Sequence, residues 1–486
     1  MFSTVLIANR GEIALRVART CREMGIRSVA VYSTADRDSA VVRFADETVH
    51  IGPPPARASY LNIPAIIEAA LRTGAEAIHP GYGFLSEDAD FAEICAAHGI
   101  TFIGPPPQVV QRLGDKAQAR AIMAEAGLPV LPGSRGALAS PAEAAEIAAE
   151  VGYPIILKAV AGGGGRGMRV VRHPDELVWA YTETRAQAQS VFGDERLYLE
   201  RFVEGARHIE VQVLCDRHGA AVHLGERDCS VQRRHQKLVE EAPAPNLPSE
   251  VRERMCADAL RGAVAVGYVG VGTFEFVLTP TYEYHLMEVN CRLQVEHPVT
   301  EMITGVDLVR EQIRVAAGLP LTMRQDDISV RGVAIECRVN AEDPLRDFAP
   351  TPGHITEFVP PGGQFVRVDT HAYAGWTVGP DYDSLLAKTI VWAPDRDRAL
   401  ARANRALGEF RVSGRGISTT LGFLRRTLAH PVFRAAEHTT DLVDTMTDEA
   451  READPVPDVD AVGAGSDSPA ASADGAVVRP QSVHVV

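Results

Sequence analysis

The sequence predicts a chain of mixed α/β and α+β class that opens on a doubly wound parallel-sheet domain. Three observations predict it. Short apolar runs alternate with helical patterns up to about residue 104, and period-2 runs take over after Tyr153. The last stretch of the chain has no periodic apolar face.

Val5-Leu6-Ile7 reads as a strand, residues 12–24 as a helix, 28–32 as a second strand, 65–72 as a helix and Ala77-Ile78 as a third strand. Parallel strands need a crossover, so this βαβα order implies a parallel sheet covered by helices. A second unit opens at Gly114-Asp-Lys116 with a helix that ends near Gly127. Strands and hairpins follow, with alternating runs at 209–214 and 272–276. A third, α+β unit starts near Arg331 and holds strand-like runs at 334–339 and 388–392. Residues 447–486 are rich in Ala, Ser, Asp, Gly, Val and Pro, bury too little to offset their ordering entropy, and are expected to be disordered.

Composition narrows the function. A net charge of −15 opposes general nucleic-acid binding, which needs a basic face, but leaves room for a local anion site. Seven scattered cysteines without a C-x-x-C pair fit neither a disulfide framework nor a zinc site and suit a reducing cytosol. No run approaches the ~20 apolar residues of a membrane span, and the N-terminus lacks the basic region of a signal peptide. A cytoplasmic protein is expected, with no membrane or nucleic-acid partner.

The densest glycines lie in Ala161-Gly-Gly-Gly-Gly-Arg-Gly-Met168. Gly162, Gly164 and Gly167 satisfy G-x-G-x-x-G, yet strand-like residues flank the loop on both sides, whereas a dinucleotide fingerprint opens a helix. Met168 stands where a Walker A loop has lysine. A glycine loop between strands reads as a flap whose backbone N–H groups close over phosphates.

If residues 272–290 form a symmetric hairpin, Glu275 and Glu288 face each other and require something positive between them. Oxygen ligands beside phosphate favour Mg2+ or Mn2+. Period-2 geometry places Glu288, Asn290 and Arg292 on one face, joined by Gln294 and Glu296 if the extended run continues. The cations of Arg227 to Lys237, taken alone, read as a solvated charged face.

Together these residues resemble the biotin carboxylase family of ATP-grasp enzymes. The likeness runs through Leu6-Ile-Ala-Asn-Arg-Gly-Glu-Ile13, His79 to Glu87, Lys158 to Gly167, Arg227 to Lys237, Glu288 to Glu301, Glu336 to Pro344, and Tyr382-Asp-Ser-Leu385 with Lys388, nearly the whole chain to residue 446. The resemblance implies an N-terminal domain at 1–114, an ATP-grasp domain at 115–330 with a mobile glycine-rich lid near 131–203, and a C-terminal domain at 331–446. It implies ATP, Mg2+ or Mn2+, bicarbonate as substrate, and biotin carried on another protein.

The family's roles map onto this chain as expectations. Lys116, Lys158 and His208 resemble phosphate or ribose contacts, with Gly163, Gly164, Gly165 and Gly167 as the flap. Glu200, Arg201 and Val203 match the hinge beside adenine, and Gln232 and His235 match further nucleotide contacts. Glu275, Glu288 and Asn290 match the metal site. Lys237, Arg292, Gln294 and Val295 match the bicarbonate pocket, Glu296 the general base, and Arg338 the cation that steadies the biotin enolate. Cys291, Thr420 and the segment 438–442 depart from the family pattern, and Cys291 and Cys229 read as packing residues.

Three other functions are weighed. A carbamoyl phosphate synthetase-like ligase predicts a duplicated chain, a silent regulatory subunit predicts a lost key charge, and a dehydrogenase predicts a helix after the glycine loop. None matches the residues present. No Ala-Met-Lys-Met biotinylation site occurs, so the expected partners are a biotin carboxyl carrier protein or domain and a carboxyltransferase subunit of an acetyl-CoA or propionyl-CoA carboxylase. A homodimer is also expected.

Overall fold

The computed structural model describes residues 1–162 and 167–453. Gly163, Gly164 and Gly165 lie outside the described residues.

The first layer is a five-stranded parallel sheet in the order Glu47–Gly52, Arg27–Ser33, Thr4–Ile7, Ala77–His79, Thr101–Phe102. Its central strand is buried at every position because both faces are covered. Val5 and Ile7 pack with the helix Gly11–Glu23, whereas Leu6 packs with the helices Ile63–Thr73 and Ala89–Ala97. This two-sided burial is the doubly wound arrangement that the alternation predicts. The strand Glu47–Gly52, weakly apolar and at the sheet edge, had no sequence signal strong enough to mark it.

The second layer is an eight-stranded sheet in the order Tyr284–Asn290, Gly270–Leu278, Arg207–Cys215, Ala221–Arg233, Gln236–Ala242, Val333–Asn340, Leu385–Ala393, Val366–Thr370. It runs straight through the expected boundary near Arg331: Gln236–Ala242 pairs with Val333–Asn340, Val239 opposite Cys337. The second and third units therefore share one hydrogen-bonded sheet. Residues 227–233 are the second half of a central strand, which corrects the solvated-face reading of that run. Arg227 is completely buried.

A small lid stands apart on its own core. Ile155–Ala159 pairs antiparallel with Met168–Val171 and Leu197–Arg201, covered by the helices Pro141–Val151 and Leu177–Phe192. Both flanks of the glycine loop are strands, with Lys158 opposite Met168. At the loop's end Gly167 has φ +69°, a left-handed conformation, and a Cβ there would come within 2.9 Å of that of Ala159.

The disordered-tail expectation from residue 447 is corrected in part. The helix Leu442–Ala453 continues through that point, anchored by buried Leu442, Val443 and Met446 against the C-terminal core. Residues 454–486 lie outside the described residues. All seven cysteines are free and buried. Among the described residues no helix is long and apolar enough to cross a membrane.

Candidate active site

The site grows from strand register. Glu275 faces Glu288 on one side and Glu210 on the other, and Arg227 lies opposite Glu210 one strand further. Three carboxylates thus stand abreast on adjacent strands, an arrangement that repels unless cations intervene. Lys237 Nζ lies 2.7 Å from Glu210 Oε2, 3.1 Å from Glu275 Oε1 and 2.5 Å from Glu296 Oε1. Arg227 donates to Glu210, Gln212, Thr273, Thr300 and Gln294. Lys116 pairs with Glu288. The positive charge required between Glu275 and Glu288 is thereby supplied by a separate lysine on each.

The extended run stops at Asn290, and a turn leads into the helix His297–Thr304. A single strand face from Glu288 to Glu296 is thus corrected, yet the turn still delivers the same side chains. Asn290 Nδ2 and Gln294 Nε2 donate to Glu275 Oε1 at 2.9 and 2.6 Å. Arg292 donates to Asn290 Oδ1 at 2.9 Å and pairs with Glu87. Val295 is buried and contributes its carbonyl to a buried lysine, Lys388.

Glu296 is held between two cations. Its other oxygen receives Arg338 at 2.9 Å, and Arg338 in turn lies 2.5 Å from Glu240. Burial opposes charge on Glu296, but Lys237, Arg338 and Arg227 outweigh it and keep its carboxyl well below the usual range. Lys237 and His208 do the same for Glu275 against its burial. His208 Nε2 sits 3.1 Å from Glu275 Oε2. Burial pushes the carboxyl of Glu240 the other way, up to about 7, despite Arg338.

The lid-side residues form a second cluster. Lys158 Nζ is 2.6 Å from Glu200, which also meets Arg120 at 3.2 Å. Val203 packs with Leu131, Ala206, Val277 and Met287. His235, at φ +66°, sits on the turn between the strands that carry Gln232 and Lys237. Burial, with the charge of Lys158, lowers its pKa. The side chain of Arg201 is not brought in: period 2 turns it away from Glu200, and it donates to the Val151 carbonyl at 2.9 Å.

Sequence reasoning assigned no role to Glu210, Glu240 or Arg120, nor a contact to Arg227. A signal for the first existed. His208, Glu210 and Gln212 are polar at every second place in a strand whose intervening residues, Ile209 and Val211, are apolar. Glu275, Glu288 and Asn290 form an oxygen-only donor set on two adjacent strands, which fits a hard divalent cation. Cys229 is fully buried, and burial beside Glu210 raises its thiol far above the ordinary value, so it is no nucleophile.

Three family models match in succession: "Biotin carboxylase, N-terminal domain" over residues 1–110, "Carbamoyl-phosphate synthase L chain, ATP binding domain" over 115–324, and "Biotin carboxylase C-terminal domain" over 336–445. A biotin carboxylase of Nostoc sp. is 53% identical over 445 residues, 92% of this chain and 99% of the relative. The chain belongs to the biotin carboxylase family.

Within the family, a biotin carboxylase of Haemophilus influenzae is 55% identical over 415 residues, covering 85% of this chain and 92% of that one. The biotin carboxylase domain dimer of the Hydrogenobacter thermophilus 2-oxoglutarate carboxylase, solved with MgADP, ADP and bicarbonate, superposes with a TM-score of 0.89 at 48% identity, covering 92% of this chain and 98% of that one. An N-terminal parallel-sheet domain, an ATP-grasp domain and a C-terminal domain are thus the fold of a biotin carboxylase, and the dehydrogenase and duplicated-ligase readings fall away.

Proposed function

We propose that this biotin carboxylase uses the Lys237–Glu296–Arg338 centre to carboxylate biotin on a carrier, with ATP and bicarbonate as co-substrates. The observation that supports it is Glu296 between an ammonium and a guanidinium. Bicarbonate is a weak nucleophile until it loses its proton, and Glu296 is the ionised acceptor at hand. The γ-phosphoryl charge falls to Lys116 and Lys158 on the nucleotide side and to Lys237 and Arg292 on the bicarbonate side. The deprotonated bicarbonate oxygen attacks the γ-phosphorus as its bond to ADP breaks. The carboxyphosphate so formed breaks down to CO2 and phosphate, phosphate takes the biotin ureido proton, and the ureido nitrogen of the enolate, steadied by Arg338, attacks the CO2. A divalent cation held by Glu275, Glu288 and Asn290 would add neutralisation of the phosphates. Closure of the glycine flap over the nucleotide excludes water from the intermediate.

Glu200, Val203, Gln232, His235 and His208 line the nucleotide side of this reading, and Gln294 and Val295 the bicarbonate side. The carrier and the carboxyltransferase are proposed as separate partners, and a dimer is the proposed assembly, as in the Hydrogenobacter domain dimer. The test is ATP hydrolysis in Mg2+ with bicarbonate and free biotin. Hydrolysis should depend on bicarbonate and rise with biotin; a folded preparation that shows neither overturns the proposal. Glu296→Ala should bind ATP while losing turnover by about a hundredfold or more.

A further inference from the structure

Lys388 lies outside the reacting centre yet is completely buried. Its ammonium donates to the carbonyl of Val295 at 2.8 Å and pairs with Glu12 of the helix Gly11–Glu23 at 2.9 Å. In the sheet it stands between Arg338 on one neighbouring strand and Asp369 on the other. Burial works against its charge, but Glu12, Glu336 and Asp369 outweigh it and keep the proton on. A buried ammonium is an expensive way to join two domains, since apolar packing of the same volume does so at less cost. Its hydrogen bond to Val295 falls on the peptide that carries the next residue, Glu296.

Beside that peptide, His297 N–H donates to the Gln294 carbonyl at 3.3 Å and Val299 N–H to the Glu296 carbonyl at 3.2 Å, while Lys388 takes the Val295 carbonyl between them. The chain turns there between the strand Tyr284–Asn290 and the helix His297–Thr304. The far side of the helix is fixed through Glu301, which meets Arg16 at 2.9 Å and Arg367 at 2.7 Å. Glu296 itself sits at the helix entrance, where Lys388 is the donor to the preceding carbonyl.

We propose that Lys388 is a positioning residue for Glu296: by holding the Val295 carbonyl it fixes the carboxylate between Lys237 and Arg338, and it ties that placement to the N-terminal domain through Glu12. This rests on Glu296 as the base. The decisive variant is Glu12→Gln with Lys388→Met, which removes the Glu12–Lys388 pair together and also takes one cation from buried Glu336 and Asp369. Its KM for ATP should stay within about twofold of the parent's, while kcat for bicarbonate-dependent hydrolysis falls about tenfold to a hundredfold at a temperature where the variant is fully folded. Amide exchange across residues 293–299 should quicken in the same protein. Glu12→Gln alone keeps the lysine's bond to Val295 and should retain kcat within about twofold even if it loses stability.

A double variant with parental kcat and unchanged exchange at 293–299 overturns the proposal. So does a Glu12→Gln protein that loses as much kcat as the double variant. If no Lys388 variant is recovered folded, the Glu12→Gln kcat decides: retention supports the carbonyl bond, and loss overturns it. A parent without bicarbonate-dependent hydrolysis would instead sink the assignment of Glu296 as base, and the exchange measurement would still read the restraint.

Discussion

A carboxylate pinned between an ammonium and a guanidinium is a weak base until one of them is drawn away. Glu296 is such a group, so in the proposed mechanism bicarbonate and phosphate compete for Lys237 before a proton moves. Behind it Glu240 behaves in the opposite sense, because it is completely buried and Arg338 is already shared with Glu296. Its folded carboxyl sits near 7, above the ordinary value of 4.5. The folded state therefore holds a proton there that the unfolded chain has released, and stability falls as pH rises from about 4.5 to about 7. Glu275 and Glu296 act below that window, where their depressed values make stability fall as pH drops. His79, lowered to about 3, and His371, lowered to about 4, overlap the window with the opposite slope. Comparison with a variant isolates the one group. Glu240→Gln should become more stable relative to the parent as pH rises from 5 to 7, by about 1–3 kcal/mol. Parallel urea-denaturation profiles across that range would refute it.

At the scale of elements, how far the sequence could be read depended on how local the cause was. The Glu275–Glu288 pairing was legible from a roughly symmetric hairpin, but its register also needs an irregularity the sequence did not mark: Phe276 pairs with Leu286, and a shift between Phe276 and Glu275 brings Glu288 opposite Glu275. The glycine loop's strand flanks were legible because short, mainly apolar runs, Ile155-Ile-Leu157 and Met168-Arg-Val-Val171, border it on both sides. The turn after Asn290 was not, since a period-2 pattern cannot say where pairing stops. Arg227 to Arg233 misled for a different reason. Charge in a strand looks solvated unless its partners are known, and Arg227 finds them on three other segments, with Glu210 and Gln212 on one, Thr273 on another, and Gln294 and Thr300 on the third. The lid offers an element-scale test. Gly167 closes the loop in a left-handed conformation, where a Cβ would crowd both Ala159 and Phe192. Gly167→Ala should cost the lid about 1–2 kcal/mol and raise the KM for ATP several-fold. Because the lid has its own core, the main melting transition should move little. An unchanged KM would show that the loop's return does not matter for closure.

For the whole molecule, the eight-stranded sheet decides what can fold alone. Residue patterns suggested separable units on either side of Arg331, because the gap between periodic runs falls there. Strand pairing across that gap could not be read from one sequence, as it joins residues about a hundred positions apart. The consequence is energetic. Val231, Leu238 and Val239 from before the gap share one core cluster with Ile335, Cys337, Val339, Ala387 and Leu424 from after it. The proposed centre straddles the same seam, with Lys237 and Glu296 on one side and Arg338 on the other. A chain ended at residue 330 would leave the strand Gln236–Ala242 as a bare edge with an exposed apolar face, the kind of edge that seeks another chain. That fragment should be recovered aggregated or as a dye-binding, loosely packed species, and adding residues 331–453 as a separate chain should not restore hydrolysis efficiently. In the full chain, amides on Gln236–Ala242 and Val333–Asn340 should exchange with one common opening free energy, while those of the lid open more easily. A soluble, cooperatively melting 1–330 fragment would show that the seam is an interface between prefolded domains and not part of a single folding unit.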